Sequence, residues 1–157
     1  MSLALTEARF ALEAGEIPVG ALIVKDDEVI ASGRNRVEER RDPTAHAEIL
    51  AIREAGELLD NWRLEGCSVF VTLEPCVMCM GAILNARINR LFFALHDPEK
   101  GAAGSAFNLG ADPALRSSPM EIFAKLMEKE AQKLLENAWK KIRKSKRSCN
   151  TRKTGQQ

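Results

Sequence analysis

Short apolar blocks separated by turn-forming residues run along the first part of the chain. Residues 3–14 place leucine, alanine and phenylalanine at helical spacing and end at Gly15, which predicts a first helix. Two strand-like runs follow at residues 19–24 and 28–33, with two aspartates between them. A short polar break between two apolar runs is typical of a β-hairpin, so we expect these strands to pair antiparallel.

The rest of the chain alternates between helical and strand-like patterns. Residues 96–119 are rich in glycine and proline and are predicted to form a long loop, which in a compact domain is usually functional. The other predicted elements are a helix that begins near Thr44, a strand at 67–73, a helix from Pro75 to Ala86, a strand at 90–95, a short strand at 120–123 and a helix at 124–142.

This order of elements predicts a three-layer α/β/α domain with a mixed five-stranded sheet. The helix between the third and fourth strands implies that these two are parallel, whereas the hairpin strands are antiparallel. The length of 157 residues suits one domain, which we place at residues 1–143.

Charge is distributed unevenly along the chain. Eight of the 23 basic residues, and none of the 22 acidic residues, lie from Lys140 onward. We therefore predict that residues 144–157 form a basic, disordered tail. A basic tail on an acidic body suggests a polyanionic partner such as a nucleic acid.

The composition argues against a membrane protein and against export. The hydrophobic content of 45% and the charged content of 29% are ordinary for a globular protein, and no apolar run is long enough to span a bilayer. The first residues mix acids into their apolar positions, unlike a signal peptide. We expect no membrane contact and a reducing compartment, in which the four cysteines are free thiols.

Two short segments carry the candidate chemistry. Cys76 and Cys79 are three residues apart at a predicted helix start, so both thiols face the same side and ionise readily. His46 begins the preceding predicted helix and can supply a third ligand to one zinc ion per chain. Glu48 lies two residues later, where it can exchange protons without coordinating the metal.

The number of ligands favours a catalytic site. Structural zinc sites have four protein ligands, whereas catalytic sites keep one position for water. We find no fourth ligand, because Cys67 is predicted to face the core and His96 lies in the long loop. A redox-active cysteine pair would leave His46 and Glu48 without a role. A zinc-stabilised binding module without activity is the non-enzymatic alternative.

The two segments together match the H-x-E…P-C-x-x-C signature of zinc nucleobase deaminases. Beyond this signature, the chain resembles the bacterial tRNA-specific adenosine deaminase family up to about residue 123. The resemblance is carried by residues 15–21, 42–49, 62–64, 71–79 and 101–105.

The resemblance implies a cytidine-deaminase-like fold and a cytoplasmic homodimer. The implied reaction converts the wobble adenosine of a tRNA anticodon, expected to be that of tRNA-Arg, to inosine by hydrolysis at C6. Glu48 would be the catalytic acid and base, with His46, Cys76 and Cys79 as the zinc ligands. The resemblance also implies that Asn35 contacts the target base, that Ala47 supplies a backbone contact, and that Pro18 and Val19 line the pocket. Asp97 would lie near the backbone of the anticodon loop.

The sequence departs from the family pattern in its last third. Residues 117–119 are Ser-Ser-Pro where relatives commonly carry Asn-His-Arg, and Ala138-Trp139 replaces a Phe-Phe pair. Both regions contact the anticodon loop in relatives. The alternative function is deamination of a free base or nucleoside, such as guanine or cytidine.

Overall fold

The computed structural model describes residues 1–115 and 119–153, with side chains as far as Lys140. The helices are α1 (Ser2–Glu13), α2 (Val37–Arg40), α3 (Ala47–Leu58), α4 (Val77–Asn85) and α5 (Glu128–Lys153). The strands are β1 (Gly20–Lys25), β2 (Glu28–Arg34), β3 (Ser68–Leu73), β4 (Arg90–Leu95) and β5 (Glu121–Phe123).

The five strands form one mixed sheet in the order β2-β1-β3-β4-β5. Strand β1 pairs antiparallel with both β2 and β3, whereas β3, β4 and β5 run parallel. The predicted hairpin, the parallel pair and the mixed five-stranded sheet are all confirmed.

Helices cover both faces of the sheet. The larger core packs alternate strand residues such as Val69, Val71 and Phe93 against the alanines of α3 and against α4. A second cluster, Leu5, Ala94 and Ala131, packs α1 and α5 on the other face. Because Phe93 and Ala94 are neighbours in one strand, their side chains point to opposite faces, which confirms the three layers.

The strand register brings four chain segments to one edge of the sheet. Gly20 pairs with Arg34, so the start of β1 and the end of β2 lie together. Leu73 pairs with Leu95, so β3 and β4 end at the same level. Since Ala21 pairs with Val71, the two groups meet at one edge. The segments that follow or precede these strand ends therefore surround a common site.

Several local expectations differ from the structure. Helix α2 lies in the segment predicted to be irregular, and α5 begins at Glu128 rather than at residue 124. Thr44 does not cap α3; its backbone N–H and its hydroxyl both donate to Asp42 Oδ1, and His46 is the N-cap. No described helix is long and apolar enough to cross a membrane.

The predicted C-terminal tail is helical where the structure describes it. Helix α5 is assigned as far as Lys153 and so extends into the segment from residue 144, for which disorder stays a prediction. The segment contains no proline or glycine before Gly155, and its many lysine and arginine residues favour a helix.

Of the residues that depart from the family pattern, Ser117 and Ser118 lie outside the described residues, and Ala138 is buried.

Gly33 tests the packing of α3 on the hairpin. A Cβ at Gly33 would lie 2.2 Å from the carbonyl oxygen of Ala47, which is backbone and cannot rotate away. We expect Gly33→Ala to lower the free energy of unfolding by about 3 kcal/mol, because the start of α3 must shift. Chemical denaturation measures this loss.

Gly56, which lies in α3 itself, provides the matched control. A Cβ added at Gly56 would lie 3.6 Å from its nearest neighbour, the Asn61 carbonyl oxygen, which is an ordinary contact. Gly56→Ala should therefore stabilise the protein by about 1 kcal/mol or leave it unchanged. Equal destabilisation by both variants would contradict the proposed close approach.

Candidate metal centre and active site

The three predicted metal ligands lie together at the edge where β3 and β4 end. His46 Nδ1 is 3.4 Å from Cys79 Sγ and 3.8 Å from Cys76 Sγ. Ligand atoms bound tetrahedrally to one zinc ion at 2.0–2.3 Å are separated by about 3.5–3.8 Å. The three ligand atoms also lie within 4.8 Å of one another, so the side chains present fit one zinc ion.

Two helix N-termini create this arrangement. His46 is the N-cap residue of α3 and Cys76 is the N-cap residue of α4, and both have extended backbone conformations. Cys79 lies in the first turn of α4, three residues after Cys76, so both thiols face His46. The positive ends of the two helix dipoles stabilise thiolates at this point.

The pKa values of the two thiols are shifted in opposite directions because the thiols are hydrogen-bonded to each other. A hydrogen bond from Cys79, together with the one to His46, outweighs burial and lowers the pKa of Cys76 to about 3. The contact with Cys76 and burial raise the pKa of Cys79. The hydrogen bond to Cys76 also raises the pKa of His46. A bound divalent cation would favour ionisation of both thiols.

Glu48 lies beside this cluster and is buried. Only 3% of the residue is exposed, and its carboxyl group is in contact with the Cys79 thiol. It is not among the described residues whose ligand atoms can converge on one ion. Burial raises the pKa of its carboxyl group. A carboxyl group held next to a metal site with a raised pKa is suited to transfer protons.

One side wall of the site is formed by residues around Asn35. The Asn35 backbone N–H donates to the Val19 carbonyl at 2.9 Å, and the next residue, Arg36, donates to Ala45 beside the ligand His46. The Asn35 side chain donates to Glu16 Oε2 at 3.2 Å. Both Asn35 and Glu16 are buried. The structure therefore places Asn35 and Val19 near the metal ligands.

The remaining predicted substrate residues lie at the same edge of the sheet. Pro18 is buried just before β1, and Ala47 is buried in the first turn of α3, between His46 and Glu48. Asp97 follows β4 and is half-buried, and its Oδ1 accepts from the backbone N–H groups of Glu99 and Lys100. These positions surround the ligand cluster, although their roles toward substrate stay predictions.

Two buried carboxylates support the surroundings of the site, and the sequence interpretation missed the role of Glu16. Glu16 supports Asn35 and also accepts from the backbone N–H of Glu39 at 2.9 Å. Glu74 accepts several hydrogen bonds from the loop after β4, described below. Burial opposes its ionisation, but bonds from Ser105, Asp97 and Ala103 hold the pKa of Glu74 below its ordinary value. No sequence pattern marks a glutamate as buried, so the role of Glu16 was not visible, whereas the position of Glu74 beside Pro75 predicts a structural role at the turn into the helix.

The two residues considered as a fourth ligand, Cys67 and His96, lie where the sequence predicts. Cys67 is fully buried in the core, and His96 lies in the loop after β4. Neither belongs to the ligand cluster found among the described residues. The ligand set therefore stays at three, which is the number typical of a catalytic zinc centre.

Comparison with known proteins supports the assignment of this site as a zinc centre. Residues 1–95 match the family model described as the cytidine and deoxycytidylate deaminase zinc-binding region. The fold and the ligand set thus define a zinc-dependent deaminase, and the chain belongs to this family. The prediction of zinc as the cofactor is confirmed at the level of the family.

Its sequence relatives within the family include tRNA-specific adenosine deaminases. The protein of Aquifex aeolicus is 46% identical over 143 residues, which cover 91% of this chain and 93% of the relative. A solved structure from a study of A-to-I editing by tRNA:A34 deaminases superposes with a TM-score of 0.82 at 46% identity, covering 86% of this chain and 97% of the other. The predicted resemblance and fold are confirmed.

A guanine deaminase shares the same fold at greater distance. The structure of the enzyme from Nitrosomonas europaea superposes with a TM-score of 0.71 at 27% identity, covering 87% of this chain and 81% of the other. A free-base deaminase therefore also shares this fold, but with a lower TM-score and a lower sequence identity than the structure from the tRNA:A34 deaminase study.

Cys79 tests the metal centre directly. We expect Cys79→Ala to reduce bound zinc from about one ion per chain to a small fraction, because two ligands hold the ion much less tightly than three. Elemental analysis of the purified protein measures this. Cys67→Ala is the matched control, since Cys67 is buried outside the cluster, and it should keep its zinc. Equal zinc in both variants would contradict the ligand assignment.

Proposed function

We propose that this protein is a zinc-dependent deaminase that converts the wobble adenosine of a tRNA anticodon to inosine. The observation that carries the proposal is the set of three converging ligands with Glu48 buried beside them but outside the set. The choice of substrate is supported by the identity of 46% to a tRNA-specific adenosine deaminase along nearly the whole chain. We expect the tRNA to be tRNA-Arg and the compartment to be the cytoplasm.

The chemistry requires one water and releases ammonia. Bound zinc supplies a Lewis acid that lowers the pKa of water at the site. Glu48 accepts the proton that the water loses as its oxygen bonds to C6 of adenine. Glu48 delivers this proton to N1, then takes the second proton from the hydroxyl group now on C6 and passes it to the amine, so a C6–O double bond forms and the C6–N bond breaks to give inosine and ammonia. The buried position of Glu48 keeps bulk water from competing for these protons.

Binding of the target base is assigned to the surrounding wall. Asn35 can contact the base through its amide, because its hydrogen bond to Glu16 fixes the side-chain orientation. Pro18 and Val19 supply apolar contacts, and Ala47 supplies a backbone contact at the start of α3. Asp97 contacts the anticodon loop backbone. A base that is already splayed out of a loop reaches such a site at little energetic cost.

The decisive experiment compares RNA with small substrates. We expect purified zinc-loaded protein to produce inosine in an anticodon stem-loop RNA with a wobble adenosine. We expect no turnover of guanine, cytidine or free adenosine under the same conditions. Mass spectrometry of nucleosides and an ammonia assay measure the two outcomes. Turnover of guanine without inosine in the RNA would favour the free-base alternative instead.

Glu48 provides the matched test of mechanism. We expect Glu48→Gln to lower kcat by about 10²–10⁴-fold, because the proton carrier is lost. Zinc content should not change, since Glu48 is outside the ligand set. Glu57 lies exposed on the same helix, so Glu57→Gln should keep wild-type activity. Loss of zinc in Glu48→Gln would show that Glu48 has a structural role.

We further propose that the protein is a homodimer. An apolar groove along α3 and α4 includes Ile52, Leu84 and Leu115 together with Trp62, of which Trp62 is 58% exposed. An exposed apolar surface of this kind is typical of an interface. The second copy is supported by the family relationship rather than by any contact within the single chain.

Trp62→Glu tests the dimer. We expect light scattering to give twice the 17.4 kDa chain mass for the wild type and a single chain mass for Trp62→Glu, because a buried unpaired charge opposes association. Phe10 is 48% exposed on α1, across the sheet from the groove, so Phe10→Glu should stay dimeric. A monomeric wild type would refute the proposal.

A further inference from the structure

The buried carboxylate of Glu74 has no part in the reaction described above. Glu74 follows β3, two residues before the ligand Cys76, and is 2% exposed. It does not belong to the ligand cluster. Burying a carboxylate is costly unless hydrogen bonds compensate for the lost water. Its partners therefore indicate what the residue does.

All the donors to this carboxylate come from the loop after β4. Oε1 accepts from the backbone N–H groups of Ala103 at 2.9 Å and Ser105 at 3.0 Å. Oε2 accepts from the backbone N–H of Asp97 at 3.1 Å and from the Ser105 hydroxyl, and lies 3.2 Å from His96 Nδ1. One carboxylate thus binds both ends of a loop that we define as residues 97–105.

Gly101 shows independently that this loop is fitted to the carboxylate. A Cβ at Gly101 would lie 2.5 Å from Glu74 Cδ and 2.6 Å from the Asp97 carbonyl oxygen. Only glycine can therefore occupy this position while the loop remains where it is. The middle of loop 97–105 packs directly against Glu74, and its ends are hydrogen-bonded to it.

The same loop touches the metal centre. Gly101 forms a β-bridge with the ligand Cys76, and the backbone N–H of Ala102 donates to the Pro75 carbonyl at 2.8 Å. Loop 97–105 therefore forms one wall of the site.

We propose that Glu74 is a positioning residue that fixes loop 97–105 against the start of α4 and so sets how this wall meets the RNA. The part concerning RNA rests on the proposed function, whereas the part concerning the loop does not. A purely structural carboxylate would affect stability alone. A positioning residue also changes the Michaelis constant while the metal and the proton carrier stay in place.

Two variants loosen the loop by different routes. Glu74→Gln replaces one acceptor oxygen with an NH₂ group, which cannot accept from the donors that converge on both oxygens. Gly101→Ala leaves the carboxylate intact but forces the loop away from it. Glu65→Gln is the control, because this exposed glutamate lies before β3, at the opposite end of the strand from Glu74.

Hydrogen exchange of the free protein tests the loop. We expect the amides of Asp97, Ala103 and Ser105 to exchange at least about tenfold faster in both variants than in the wild type, with helix α3 unchanged. Glu65→Gln should match the wild type. Unchanged exchange in both folded variants would overturn the proposal, whatever the substrate proves to be. If Glu74→Gln does not fold, Gly101→Ala decides.

Kinetics with the anticodon stem-loop RNA tests the consequence. We expect KM to rise about tenfold in both variants while kcat changes less than about threefold and zinc stays bound. Faster loop exchange with unchanged KM would refute the role toward RNA. A fall in kcat together with loss of zinc would show that Glu74 supports the metal ligands instead. If the wild type does not act on RNA, the proposed function fails, and hydrogen exchange still decides the role of Glu74 in the loop.

Discussion

The site depends on two helices that start at the same edge of the sheet and point their first turns at each other. The ligands are the N-cap residues His46 and Cys76, together with Cys79 one turn into α4. The position of an N-cap residue is fixed by the helix that follows, so its side chain is held rigidly when that helix packs on the core. That core is made of small alanines on α3 and close-packed residues of α4, which let the helices lie close to the sheet. The packing of the interior therefore sets the distances between ligand atoms.

The sheet topology explains why both helices begin at this edge. Strands β3 and β4 are parallel, so the loop that follows each of them emerges at the same end. Strand β1 is antiparallel to β3, which brings the start of the hairpin and the end of β2 to that end as well. In open α/β sheets, ligands bind outside the carboxyl ends of the parallel strands. The mixed sheet adds a second wall there from the hairpin.

The metal centre was predictable from the sequence because its residues are close together along the chain. Cys76 and Cys79 share one helical turn, and His46 and Glu48 share another, so spacing alone places each pair. The family resemblance named residues of the walls, such as Asn35 and Asp97, but the contacts that hold the walls were not predictable, because they join residues far apart in sequence, such as Glu74 and Ser105. Helix α2 was missed because weak local preferences are decided by tertiary context. Strong periodicity made the strands and long helices visible.

Two buried carboxylates hold the two walls of the site, and neither is among the metal ligands. Glu16 binds Asn35 and the backbone of α2 on the hairpin side, whereas Glu74 binds loop 97–105 on the other side. Glu74 accepts mainly from backbone N–H groups, which fix main-chain position, whereas Glu16 accepts one bond from the Asn35 side chain and one from a backbone N–H group. The zinc ligands are held by the helix starts, whereas the walls are held by these carboxylates, although loop 97–105 also contacts Cys76 through its backbone. The same fold occurs in a guanine deaminase and in a tRNA:A34 deaminase structure, so the choice of base is set by the residues around the centre rather than by the fold.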